Sequence, residues 1–151
     1  VFEVFDLGGT SHSVSIPNSN VTLSEFNQLS AVLYNDTLRI YVNGISTNFT
    51  IFSGTAISNN NNDLVIASSY KGKIDEFRFW NIGKKQKTIS QDFSRLLSGS
   101  DSGLKVYLKM NENFGNYAYD FSHAGVIFNK NHANDTIIEG YRRITIRRYP
   151  H

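Results

Sequence analysis

The sequence predicts an all-β domain: an antiparallel two-sheet β-sandwich with one short helix near residues 88–98. Three observations carry that prediction. Side-chain polarity alternates with a period of two over most of the chain, as half-buried strands require. About ten such short runs are separated by polar turns, and the chain's 17 asparagines and 11 glycines supply the turn chemistry. A single segment carries helical spacing instead.

The first run is residues 11–16, where His12, Val14 and Ile16 alternate with three serines. Residues 28–34 and 37–42 follow, joined by Asn35-Asp36, and two turn-forming residues between two β-rich runs signal a hairpin. In the second of these, Leu38, Ile40 and Val42 share one face, with Thr37, Arg39 and Tyr41 on the other. Asn43-Gly44 comes next, a pair that tolerates the positive φ of a type I′ turn. Residues 48–52 and 63–68 continue the series, separated by the asparagine-rich loop over 58–62.

The helix is expected to open at Thr88, whose hydroxyl and the Gln91 side chain form a capping box. Ile89, Phe93, Leu96 and Leu97 then recur at helical spacing, and Gly99 stands where a C-terminal cap is wanted. Beyond it, Leu104, Val106, Leu108 and Met110 alternate with Lys105, Tyr107 and Lys109, the pattern of an amphipathic strand. Short strands are expected over 125–128 and 136–139. The tail over 141–149 is β-patterned, with Ile144 and Ile146 facing one way and Arg143, Thr145 and Arg147 the other.

Composition narrows the function classes. The 151 residues, 40% hydrophobic and 19% charged, suffice for one domain with a real core. A net charge of +2 supplies no global field for nucleic acid. The absence of cysteine removes disulfides, thiol nucleophiles and cysteine metal sites together. No apolar run approaches the roughly 18 residues that span a bilayer, so membrane insertion is not expected. A first residue of Val1 rather than Met reads as a processed product or a piece of a longer chain.

Three motifs together resemble the laminin-G-like jelly roll of the concanavalin A-like lectin and glucanase superfamily. Residues 26–44, FNQLSAVLYNDTLRIYVNG, are similar to its hairpin, an aromatic-led strand that turns into L-x-L-Y-V-N-G. Residues 72–81, GKIDEFRFWN, resemble its G-x-I-D-E-V-R-I-Y-N strand, with the short helix following. Residues 103–122, GLKVYLKMNENFGNYAYDFS, resemble G-L-V-x-Y-x-x-F-N-E-G-S-G-x-x-A-x-D-x-S. Phe26 replaces the usual leading tryptophan, and residues 1–25 hold two strands where two or three more are usual. The expected organisation is a sandwich over 1–128 lacking its first strands, then a strand extension or linker over 129–151. Either the domain is truncated, or another segment, another chain or a second copy completes the sheets.

The only tryptophan and two adjacent carboxylates fall in the second motif. On a strand through 74–80, Asp75, Phe77 and Phe79 share one face, and Ile74, Glu76, Arg78 and Trp80 the other. Adjacent acids then point apart and cannot flank a glycosidic bond. The resemblance implies glycosidase acids spaced i and i+2 or i+4, and no E-x-D-x-x-E occurs. The two phenylalanines are expected in the core, with Glu76 and Arg78 paired outside. His12, His123, His132 and His151 show no metal-ligand spacing, and no G-x-S-x-G elbow or P-loop is present.

What remains is binding. The resemblance implies loop-held calcium, for which Asp75 and Asp120 are the candidates, with turn capping as the alternative for both. Trp80, Tyr41, Tyr107 and Tyr119 are candidates to stack on sugar rings, against a purely packing role. Arg142, Arg143, Arg147 and Arg148 are candidates for an interface on a charged edge. The expectation is a non-catalytic module, extracellular or on a cell or virion surface, that recognises glycans. The alternative is a purely structural component of a phage particle or bacterial surface assembly.

Overall fold

The computed structural model describes residues 1–54, 56–58, 64–66, 72–112, 117–122, 127–130 and 144–146. It is mostly antiparallel β-sheet with one short helix, the all-β class that the sequence predicts. Two compact units divide the chain, Val1–Asn60 with Ile82–Leu96, and Asn61–Asn81 with Leu97–His151.

In the first unit, β1 (Phe2–Phe5) and β2 (Ser11–Val14) form one antiparallel hairpin. Strands β3 (Leu29–Tyr34), β4 (Thr37–Val42) and β5 (Ile45–Ile51) form a meander in the order β3-β4-β5. Both of its turns have the backbone that their residues foretell. Asn35 and Asp36 stand at φ 45° and 55°, Asn43 and Gly44 at 50° and 76°, the two successive left-handed residues of a type I′ turn. Because Asn43-Gly44 turns so tightly, β5 starts at Ile45, earlier than the expected 48–52.

The face of β4 bearing Leu38 and Ile40 is buried against Val14 of β2, with Phe2, Val4, Ile16 and Leu33 packed around them. Full burial of a leucine side chain such as Leu38 stabilises by about 2 kcal/mol. The polar end of β2 is also tied in: His12 Nε2 lies 3.1 Å from Asp6 Oδ2, and its ring stands 4.7 Å from that of Phe52.

The helix, α1 (Gln86–Asp92), differs from its expectation. It starts at an extended Lys85 with no side-chain cap, so Thr88 lies inside the first turn and the capping box does not form. Tertiary contacts set its position instead. Ile89 is buried, and Ser90 Oγ donates to the Gly44 carbonyl at 2.6 Å. A Cβ on Gly44 would stand 2.9 Å from Ser90 Cα, so the helix docks directly on the β4–β5 turn. It ends at Asp92, which binds Lys84 at 2.6 Å and Arg95 at 3.0 Å. The expected apolar stripe is broken: Phe93 and Leu96 are exposed, and Leu97, beyond the helix end, is buried.

In the second unit, β6 (Leu64–Ile66), β9 (Tyr117–Tyr119), β10 (Ile127–Lys130) and β11 (Ile144–Ile146) form a sheet in the order β6-β11-β10-β9. The tail strand β11 therefore pairs on both sides, with β10 and with β6. Strands β7 (Phe77–Trp80) and β8 (Leu104–Leu108) form a separate antiparallel pair. The strand expected over 136–139 lies outside the described residues.

Two expectations fail in this pair. Strand β7 begins only at Phe77, because Glu76 takes a left-handed φ of 54° and breaks the alternation. Phe77 packs against Val106, Leu108 and Ala118 as expected, but Phe79 is exposed. Trp80 keeps the Arg78 face of the strand and packs against Leu97, Leu104 and Tyr107, because a register shift that skips Lys105 sets Leu104 opposite it. Strand β8 is likewise not amphipathic, since Tyr107 on its supposed wet face is 0% exposed. Its phenol makes that burial tolerable by donating to Glu76 Oε2 at 2.7 Å.

Candidate functional site

The meander has a second face, opposite Leu38 and Ile40, and its composition follows from register. Residues directly across a sheet project to the same side. Tyr34 pairs with Thr37 and Thr37 with Ile51; Val32 pairs with Arg39 and Arg39 with Phe49; Ser30 pairs with Tyr41 and Tyr41 with Ser46. Three short rows thus present aromatic, aliphatic and cationic groups together, with Arg39 at the centre.

The segment leading into α1 turns this flat face into a hollow. Gly83 makes the close approach possible, since a Cβ there would stand 2.7 Å from the Leu33 carbonyl oxygen and 2.8 Å from Tyr34 Cδ2. Lys84, Lys85 and Gln86 then wall a depression of about 250 Å³ floored by Val32, Tyr34, Thr37, Arg39 and Tyr41, with Asn35 at its rim. That volume is below the roughly 300–1,000 Å³ of sites for drug-sized ligands. It suits a single ring or a chain end.

Its side chains are held in place. Arg39 Nη1 donates to Ser46 Oγ at 2.9 Å, and the guanidinium carbon lies 4.7 Å from the Phe49 ring centre. Tyr41 is only 4% exposed, and burial pushes its phenol above the ordinary value, so it stays a neutral donor. Tyr34, at 39% exposed, offers ring surface. Lys84 is neutralised by Asp92. Burial alone would raise the Asp92 carboxyl, but Lys84 and Arg95 outweigh it and hold that group below the usual carboxylate value. Lys85 is exposed.

Of the four aromatic residues expected to stack on sugars, the hollow takes in Tyr41 alone. Tyr107 is fully buried and presents no open face, and Trp80 is packed against Leu97, Leu104 and Tyr107. Tyr119 is 54% exposed, and with Tyr117 it flanks the buried Ala118 on β9, a separate aromatic pair in the second unit. The residues missed are Tyr34, Arg39, Lys84 and Lys85. The first two were within reach, because the two-residue Asn35-Asp36 turn fixes Tyr34 opposite Thr37. The lysines were not, because they arrive from a distant segment.

The carboxylate candidates are structurally engaged. Asp75 is exposed, and its Oδ1 accepts the Glu76 N–H at 3.0 Å. Glu76 instead directs Oε2 to Arg78 Nη2 at 2.8 Å and to the Tyr107 hydroxyl. Asp120 accepts the N–H groups of Tyr107 and Ser122, both at 2.8 Å, and the Ser122 hydroxyl at 2.7 Å. It caps the turn at 120–122 and ties it to β8. Among the described residues no group of three or more histidine or carboxylate side chains is placed to hold a metal ion. The two acids do not by themselves fit calcium, which takes 6–8 oxygen ligands. The interface candidates Arg142, Arg143, Arg147 and Arg148 lie outside the described residues.

No helix among the described residues is long and apolar enough to cross a membrane. The chain matches no curated protein and no solved structure. Residues 2–90, more than half of the chain, match the laminin G-type family model of the concanavalin A-like lectin/glucanases superfamily, and the chain belongs to that family, whose domains generally serve as binding modules.

Proposed function

We propose that the chain is a non-catalytic glycan-recognition module that works outside a cell, on a cell surface or on a virion. One observation carries the reading. On the meander face opposite the core, the exposed Tyr34 lines one hollow of single-ring size together with Tyr41, Arg39 and Asn35. An aromatic face with a few converging polar groups is the arrangement that orients a sugar. Asp75 and Glu76 do not compete with this reading, because their carboxylates serve different partners. The test is a glycan array followed by calorimetry on the strongest signal. Tyr34→Ala is expected to weaken binding about tenfold, the worth of roughly one aromatic contact, with an unchanged melting temperature. Binding untouched by that substitution, or turnover of the glycan, would refute the assignment.

A second reading, architecture without sugar recognition, draws on β5. Ile45, Phe49 and Ile51 are all exposed on this edge strand of the meander, and apolar edges are apt to join other chains. That role predicts a blank array and concentration-dependent association with copies of itself or with other surface or virion proteins. Calcium enters either reading through Asp75 or Asp120 only with further oxygen ligands beside them. A melting temperature that rises with calcium and falls with chelator would establish it; no shift would remove both acids.

A further inference from the structure

We propose that the hollow selects an anionic saccharide, one carrying a carboxylate or a sulfate, with Arg39 and Lys85 as its charge contacts. This inference rests on the glycan-recognition reading and specifies its ligand class. Three cations line the hollow (Arg39, Lys84 and Lys85) and no carboxylate does. Two acids stand nearby. Asp92 is spent on Lys84 and Arg95, and Asp36 is exposed in the turn beyond the rim. Among the described residues neither Arg39 nor Lys85 makes an ion pair, so the hollow keeps two uncompensated positive charges.

Arg39 is the telling residue. It is half removed from water, and such a charge is costly without a counter-ion or a full set of hydrogen bonds. Ser46 takes one donor and the Phe49 ring covers one face, but a guanidinium has five donors in a rigid fork. Braced in this way, its remaining donors are fixed for a flat or tetrahedral oxyanion at little entropic cost. Lys85 adds a mobile point charge at the wall, and Tyr34 covers the ring that bears the anion.

The experiment is calorimetry with pairs of probes that differ only in charge: oligogalacturonate against its methyl ester, and a sulfated oligosaccharide against its desulfated form. The charged member of at least one pair should bind about tenfold tighter or more, and added salt should erode the difference. Lys85→Gln, a change at an exposed position, should cut the preference several-fold, and Arg39→Met should abolish it. Arg39→Met also disturbs Phe49, so Lys85→Gln provides the reading if that variant unfolds. Preference in one pair alone identifies the anion as carboxylate or sulfate; preference in both means charge is read without shape. Equal binding of charged and neutral members, lost together in Tyr34→Ala, overturns the charge inference and leaves sugar recognition standing. Binding of neither member of either pair, together with a blank array, overturns both.

Discussion

The meander of β3, β4 and β5 and the segment running from Asp75 into β7 both hold residues in the left-handed region, and they arrive there by different physics. In the meander, positive φ falls on Asn35, Asp36, Asn43 and Gly44, residue types that enter this region at little cost. Local chemistry and final structure agree. At the mouth of β7 it falls on Glu76, whose type does not favour it, and distant partners supply the reason. The Glu76 carboxylate holds Arg78 at 2.8 Å and the hydroxyl of Tyr107, 31 residues away in sequence, at 2.7 Å. One region is folded by its own letters, the other by its contacts.

The largest expected effect tests the first half of that contrast. Leu38 has no exposed surface and sits among Val14, Ile40, Phe2 and Val4. Leu38→Ala should cost about 3 kcal/mol, a fall of roughly 6–12 °C in melting temperature for a chain of this size. A loss under about 1 kcal/mol would mean that the face does not form a packed core. Glu76→Ala comes next. A fully buried ion pair loses 3–5 kcal/mol when one partner is removed, but this one is partly exposed, so about 2 kcal/mol is expected. Hydrogen exchange should speed up at the β7 and β8 amides. If those amides keep their protection, Glu76 is not what fixes the segment.

Titration separates the regions further. In the second unit, burial first and the Glu76 carboxylate second push the Tyr107 phenol above its ordinary 10.0. A group raised on folding gives its full stabilisation below its unfolded value and loses it as pH climbs through the folded one. Stability should therefore fall above pH 10.0, and Tyr107→Phe should shallow that decline, leaving the share that Tyr41 contributes. On α1 the sign reverses. Asp92 is held below its ordinary 3.8, so its contribution is present above that value and lost as pH drops through the folded one. Asp92→Asn should flatten the acid limb and leave the alkaline limb alone. An alkaline limb unchanged in Tyr107→Phe would break the assignment.

The same contrast explains how much of the molecule was legible in its letters. The β3–β4 hairpin could be read almost to the residue, because its alternation and both turns flanking β4 are local signals that put Arg39 and Tyr41 on one face. The register of the Asn35-Asp36 turn adds Tyr34 to it; only the start of β5 was set too late. Strand β8 was misread because Tyr107 carries a hydroxyl, which in sequence looks like a wet face. In space, an acceptor on Glu76 lets the whole ring go inside. The helix start was misread for a related reason: Thr88 and Gln91 offer a good cap, yet the docking of Ser90 on the Gly44 turn and the burial of Ile89 outweigh the one or two hydrogen bonds that a capping box supplies. The hollow was half legible, since its floor follows from hairpin register and its wall depends on Gly83 crossing β3 some fifty residues later.

The smallest effect sharpens the comparison most, because it uses glycine as a probe of whether a left-handed residue is there by nature or by constraint. Asp36→Gly replaces a residue that tolerates φ 55° with one that accepts it freely, and should stabilise the first unit by at most about 1 kcal/mol. At position 76 glycine must be judged against alanine, since both remove the carboxylate. A Cβ in the left-handed region costs about 1 kcal/mol, so Glu76→Gly should be more stable than Glu76→Ala by about that much, provided the backbone keeps its φ when the carboxylate is gone. If the two variants melt together, the backbone has relaxed out of the left-handed region. The contacts of Glu76 with Arg78 and Tyr107 would then be the whole reason for that conformation, and β7 in either variant should extend toward Asp75.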